Sequence, residues 1–128
     1  MRKLVFQAEN RNWNVMGPGD LIEKDWYIYD DLTIELKECY NTYIKSSQSK
    51  TYNGKMNKKD FQKILSCIES VKAVNLKPTA MDGDAWEFTQ FKNNALIYRR
   101  KLGYIYGIKP LEDIVKILRN IKLEEARE

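Results

Sequence analysis

The chain has no histidine, only two cysteines and only three prolines among its 128 residues. Without histidine, Ser-His-Asp and Cys-His catalysis are excluded outright. Every His-ligated metal centre goes with them, and Cys39 and Cys67 alone cannot build a structural zinc site. Most general acid–base chemistry near neutral pH also leans on histidine. Long apolar runs are missing too. Leu4-Val5-Phe6 is far too short for the hydrophobic region of a signal peptide. No stretch approaches the roughly 20 apolar residues of a membrane span. These absences predict a cytoplasmic protein without membrane contact, with reduced thiols, no cofactor, no bound metal and no catalytic residues. The glycines of "MGPGD", Met16 to Asp20, match neither a dinucleotide fingerprint nor a P-loop.

Aromatic residues are plentiful. Eight Tyr, three Trp and four Phe bring the aromatic share to 12%, which favours strands, where rings fit the pleated surface. The net charge of +4 is the balance of 22 basic and 18 acidic residues. That permits an acidic partner without identifying one. The length suits one domain over 1–128 with a core that needs no staple.

The first strand is predicted from Leu4 to Glu9, with a continuation through Trp13 and Val15 in view. Lys24 to Tyr43 reads as a hairpin broken at Asp30-Asp31. A three-residue loop, Asp30 to Leu32, sets Ile28 against Ile34, Trp26 against Leu36 and Asp25 against Lys37. It gathers the large apolar residues on one face, whereas a one-residue slip would reverse every side chain. Residues 45–57 are lysine-rich and carry an Asn53-Gly54 turn signal, so a mobile basic loop is expected, with at most a short strand near Tyr52. Asn57 reads as the N-cap of a helix over Lys58 to Lys72, with Phe61, Ile64, Leu65, Ile68 and Val71 as its apolar stripe.

"DGDAWEFTQF", Asp82 to Phe91, opens the next strand, and Leu96 to Gly107 is its partner. A three-residue turn, Lys92 to Asn94, sets Phe88 against Tyr98, Trp86 against Arg100 and Glu87 against Arg99. It places Trp86, Phe88, Leu96, Tyr98 and Leu102 on one face. Pro110 starts a second helix with Leu111, Ile114, Val115, Leu118 and Ile121 inward, and residues 124–128 are expected to fray.

The expected class is therefore α+β. An antiparallel sheet of four to six strands carries two amphipathic helices on one face, in the order hairpin, helix, hairpin, helix. The helices share Asp, Lys, Ile, Leu and Ile at matching positions (Asp60 to Ile68, Asp113 to Ile121), which suggests a ββα duplication. Amphipathic patterning alone supplies most of those matches.

Three constellations compete for function. Tyr27, Tyr29, Tyr104 and Tyr106 lie on strands near Arg99 and Arg100, the residue types that anchor protein interfaces. The run Arg99 to Lys101, with Lys45, Lys50, Lys55, Lys58 and Lys59, suits a phosphate backbone, although no recognised nucleic-acid module is present. Asp82, Asp84 and Glu87 could hold a hard cation, but Asp82-Gly83 is a turn signal in its own right. A small lysine-rich chain with no catalytic constellation resembles small bacterial inhibitor, immunity or phage accessory proteins. The leading expectation is a protein-binding module, with a homodimer through a sheet edge also open. A nucleic-acid accessory protein comes second. A metal-dependent enzyme using Asp82 and Asp84 comes last.

Overall fold

Alternation along the first part of the chain becomes four consecutive strands. In a computed structural model, residues 2–12, 21–40, 48–72, 84–93, 95–102, 105 and 108–125 are described. Strands β1 (Leu4–Asn12), β2 (Leu21–Tyr29), β3 (Thr33–Tyr40) and β4 (Gln48–Lys55) precede helix α1 (Lys58–Lys72). Strands β5 (Asp84–Lys92) and β6 (Ala95–Leu102) lead to helix α2 (Lys109–Asn120), and β7 (Leu123–Glu125) follows. They form one seven-stranded sheet in the order β6-β5-β1-β2-β3-β4-β7, antiparallel throughout.

The α+β class and the antiparallel sheet agree with the expectation. The strand count and element order do not. Four strands, not a hairpin, precede α1, so the two halves are not matched ββα units in strand number. The expected basic loop is where the sequence misled. Gln48–Lys55 pairs along the whole of β3. Tyr52 packs against the core while Lys50, Asn53 and Lys55 stay exposed. A lysine-rich composition hid a strand near the sheet edge, where lysine is well tolerated. Gly54 is no turn residue here. It faces Ile34 on one side and Leu123 on the other. A Cβ there would come 2.6 Å from the Lys122 carbonyl oxygen, so glycine lets β7 approach. The tail is thereby held as far as Glu125 rather than frayed from residue 124.

The first hairpin has the expected odd loop, with Ile28 opposite Ile34, Trp26 opposite Leu36 and Asp25 opposite Lys37. Leu32 closes it in the left-handed region, at φ 70°. That conformation is costly for a branched side chain, and Leu32 offsets it by packing on the core. The second hairpin differs. Lys92 pairs with Ala95, and Asn93 sits at φ 52°, which Asn tolerates well. The register then shifts between Phe91 and Gln90. The extra residue is Ile97, and Tyr98 pairs with Gln90, Arg99 with Thr89 and Arg100 with Phe88. The register is thus two residues from the expected one. Trp86 and Phe88 keep the inward face, but the shorter turn sets Leu96 opposite Phe91 on the outward face, where it is 47% exposed, and the bulge then returns Tyr98 to the inward side.

Both helices form as their patterns predict. Asn57 Oδ1 accepts from the Asp60 backbone N–H at 2.7 Å, capping α1. Ile64, Cys67, Ile68 and Val71 of α1 and Leu111, Ile114, Val115 and Leu118 of α2 are buried. The two helices pack on each other and on one sheet face. Beneath them an aromatic ladder crosses the middle strands. Trp26 stacks on Trp86 at 5.7 Å, Trp86 on Phe88 at 5.8 Å, and Phe88 on Phe6 at 6.1 Å. Ala8 of β1 lies opposite both Trp26 and Phe88. Its small side chain leaves room for rings from β2 and β5 to meet above β1. Each such pair contributes about 0.5–1.5 kcal/mol beyond area burial.

Candidate functional site on the helix-free sheet face

Period-2 alternation sends the other half of each strand to the opposite face. Cross-strand register arranges these residues in rows. One row runs Thr89, Gln7, Tyr27, Glu35. The next runs Glu87, Glu9, Asp25, Lys37. A third runs Ala85, Arg11, Glu23, Cys39. The middle row therefore sets three carboxylates side by side across β5, β1 and β2, with Glu23 two residues before Asp25 on β2 and diagonal to Glu9. Like charges directly opposite one another destabilise a sheet.

Glu9 and Asp25 respond by holding protons. Burial, then a hydrogen bond and repulsion from Glu87, pushes Glu9 up to about 7. Burial, then a hydrogen bond and repulsion from Glu23, pushes Asp25 up to about 8. Asp25 is only 7% exposed, and its Oδ1 has no hydrogen-bond partner. Cations stand at the rim of the cluster. Arg11 donates from Nε at 2.8 Å and from Nη2 at 2.6 Å, both to Glu23 Oε1. Arg99 Nε lies 3.6 Å from Glu87 Oε1. Lys37, although opposite Asp25, holds its Nζ 5.4 Å from the centre of the Tyr27 ring. Burial raises the Cys39 thiol above its ordinary range, and the charges of Asp25 and Glu23 add to this.

Of the residues expected to bind a partner, Tyr27, Tyr29 and Arg99 lie on the carboxylate-bearing side of the register. Arg2 stacks 3.8 Å above Tyr29, whose hydroxyl donates to Glu35 Oε1 at 2.6 Å. Burial first, with neighbouring acids next, pushes both tyrosine hydroxyls up to about 12. Tyr27 and Arg99 share a cross-strand row but sit three strand spacings apart, about 14 Å. They flank the carboxylates instead of forming one patch. The backbone of Arg100 pairs with Phe88 instead of Trp86. Glu87 pairs with Lys101 and reaches Arg99 along a diagonal, so the expected Glu87–Arg99 ion pair forms without the expected register. Asp84 heads β5 opposite Asn12. Asp82, Tyr104 and Tyr106 lie outside the described residues.

Sheet edges complete the picture. Among the described strands β6 pairs with β5 alone, and Leu96 and Ile97 are 47% and 50% exposed at its bulge. The opposite edge is the three-residue β7. On the helical side, a cavity of about 310 Å³ is lined by Trp86, Ile105, Val115, Lys116 and Arg119 among others, with the Arg119 guanidinium 5.8 Å from the Trp86 ring. No helix among the described residues is long and apolar enough to cross a membrane. Comparison with protein-family models, with curated proteins and with solved structures finds no match. Function must be argued from this chain's own chemistry.

Proposed function

We propose that the chain is a small protein-binding module, of the inhibitor or immunity type, working in a reducing compartment such as the cytoplasm. Its partner adds an extended acidic segment to the free edge of β6. The observation that carries this reading is that edge itself. An eight-residue strand ends the sheet with its outer backbone groups unpaired by any described strand, and two large apolar side chains stand out beside it. Such an edge invites strand addition, in which backbone bonds give affinity and alternate side chains give specificity. Leu96 and Ile97 supply the apolar anchor, and the run Arg99 to Lys101 supplies the positive charge. Tyr27 and Tyr29, half-buried and already held by Lys37, Arg2 and Glu35, offer a separate pre-ordered contact on β2, beyond the carboxylates. Both cysteines are free thiols, which suits a reducing compartment.

A protein fits this surface better than a nucleic acid does. Glu9, Glu23, Asp25 and Glu87 occupy the same face, and a phosphate backbone laid across it would meet them. The test is affinity capture from native lysate with wild-type bait, a Leu96→Asp/Ile97→Asp variant and a helical-face control, Lys63→Glu. A protein held by wild type and by the control, and lost with the edge variant, supports the reading. An identical set of captured proteins for all three baits sinks it. So does nuclease-sensitive capture of nucleic acid alone. A dimer broken by the edge variant would make a second copy of the chain the occupant of β6 instead.

A further inference from the structure

The tightest group of ligating side chains among the described residues is Glu23, Asp25 and Cys39. A carboxylate oxygen from each acid and the Cys39 Sγ all lie within 4.8 Å of one another. The sheet dictates this meeting. Glu23 and Asp25 alternate on β2, and Cys39 is directly across from Glu23 on β3. A second observation points to a ligand. Asp25 is more than nine-tenths buried, and its Oδ1 has no donor. A buried acceptor left without a partner is costly, and hydrogen-bonded protein interiors seldom contain one. A cation seated between these three groups would remove the deficit.

We propose that Glu23, Asp25 and Cys39 form a site for one borderline-soft divalent cation, best matched by zinc. The donor set makes the choice. Magnesium and calcium take oxygen ligands only, whereas a thiolate beside carboxylates selects zinc and its neighbours. Zinc holds sulfur at about 2.3 Å and carboxylate oxygen at about 2.0–2.2 Å, so tetrahedral ligands stand about 3.4–3.8 Å apart. The present spacing, within 4.8 Å, needs a contraction of at most about 1.4 Å, which side-chain rotation supplies. Arg11 donates twice to Oε1 of Glu23. That fixes the carboxylate's orientation, as outer-shell partners of metal ligands do. Glu9 is already engaged by Gln7, which donates from Nε2 at 2.7 Å, and by Glu87. The fourth position is therefore left to water. The site is independent of the β6 edge, and either can fail without the other.

Cobalt titration of the full chain, stripped with EDTA beforehand, tests it. Wild type should bind one equivalent and show a thiolate-to-cobalt charge-transfer band that zinc abolishes by displacement. Cys67→Ser should keep the band and Cys39→Ser should lose it. Asp25→Asn should weaken binding by roughly tenfold or more. That variant is isosteric and removes repulsion, so loss of fold does not confuse the result. No band with cobalt in excess overturns the proposal. So does a band that survives Cys39→Ser, or an affinity that Asp25→Asn leaves unchanged.

Discussion

Replacing Asp25 with asparagine should stabilise the protein, and the gain should grow with pH. Asp25 lies between Glu9 and Lys37 in its row, with Glu23 two residues before it on β2. Burial and Glu23 raise its pKa from an ordinary 3.8 to about 8. A carboxyl whose folded pKa exceeds its unfolded pKa is protonated preferentially in the folded state. Its favourable contribution is complete below about pH 4 and is lost as pH rises toward 8. At about 1.4 kcal/mol per pKa unit, the ceiling on that loss is about 6 kcal/mol. Small adjustments of Glu23 and of local water will relieve part of it, so we expect a difference of about 2–4 kcal/mol at pH 8. Asparagine keeps the shape and a hydrogen bond to Glu23 but has no charge to acquire. The assay is urea unfolding of both proteins in EDTA at half-unit steps from pH 4.5 to 8.5. The two stabilities should be close at the acid end and diverge steadily above it. In thermal melts the gap near pH 8 should be on the order of 10 °C. Parallel pH profiles, or a less stable variant at pH 8, would refute the reasoning, because Asp25 would then be ionised without penalty in the fold.

Two further outcomes concern the framework. Gly54→Ala places a Cβ 2.6 Å from the Lys122 carbonyl oxygen and 2.7 Å from Leu123 Cδ2. It should cost about 1–3 kcal/mol and release β7, seen as faster amide exchange confined to Leu123–Glu125 and its partners Tyr52 to Gly54. Asn57→Ala removes the hydrogen bond to the Asp60 backbone N–H. It should cost about 1 kcal/mol in denaturant unfolding, whereas Asn57→Asp should retain most of the stability.

The sequence was most legible where both strands of a pair carried their own apolar signal. Trp26 and Ile28 on β2 and Ile34 and Leu36 on β3 agree on a single register, and the three-residue loop follows. The second hairpin offered no such agreement. Asn93 makes a shorter turn than expected, and the bulge at Ile97 then adds a residue back. Two irregularities that compensate in parity leave Trp86 and Phe88 inward but expel Leu96. Nothing in an apolar run such as Leu96-Ile97-Tyr98 says which residue is the extra one. β4 was hidden for another reason. Its stability comes from pairing with β3 and from Tyr52 on the core, a tertiary gain that its lysine-rich composition does not advertise. The carboxylate row was missed because its members are scattered over β1, β2 and β5. Part of it was nonetheless within reach. Once Asp25 faces Lys37, Glu23 must face Cys39, and the Glu-x-Asp alternation puts both acids on one side of β2.

The arrangement of charge on this face also bears on what could bind it. Positive charge lies toward the β6 edge, in Arg99, and the carboxyl groups lie in the centre, in Glu87, Glu9, Asp25 and Glu23. Arg99 and Arg11 each pair with an acid at the boundary, so the separation is only partly neutralised within the chain. A sheet selected for stability alone gains nothing from aligning three carboxylates across adjacent strands. Repulsion of that kind is tolerable when something else relieves it. A cation between Glu23, Asp25 and Cys39 relieves it from within the face, and a basic side chain from a partner would do so from outside. The two differ in selectivity. A metal needs the Cys39 sulfur and should be indifferent to the β6 edge. A partner needs Leu96 and Ile97 and should tolerate Cys39→Ser. Crossing the two sets of substitutions in one capture and cobalt-binding experiment therefore separates them. A metal that organises the face for its partner would instead make capture depend on Cys39, and zinc would then enhance retention of the partner.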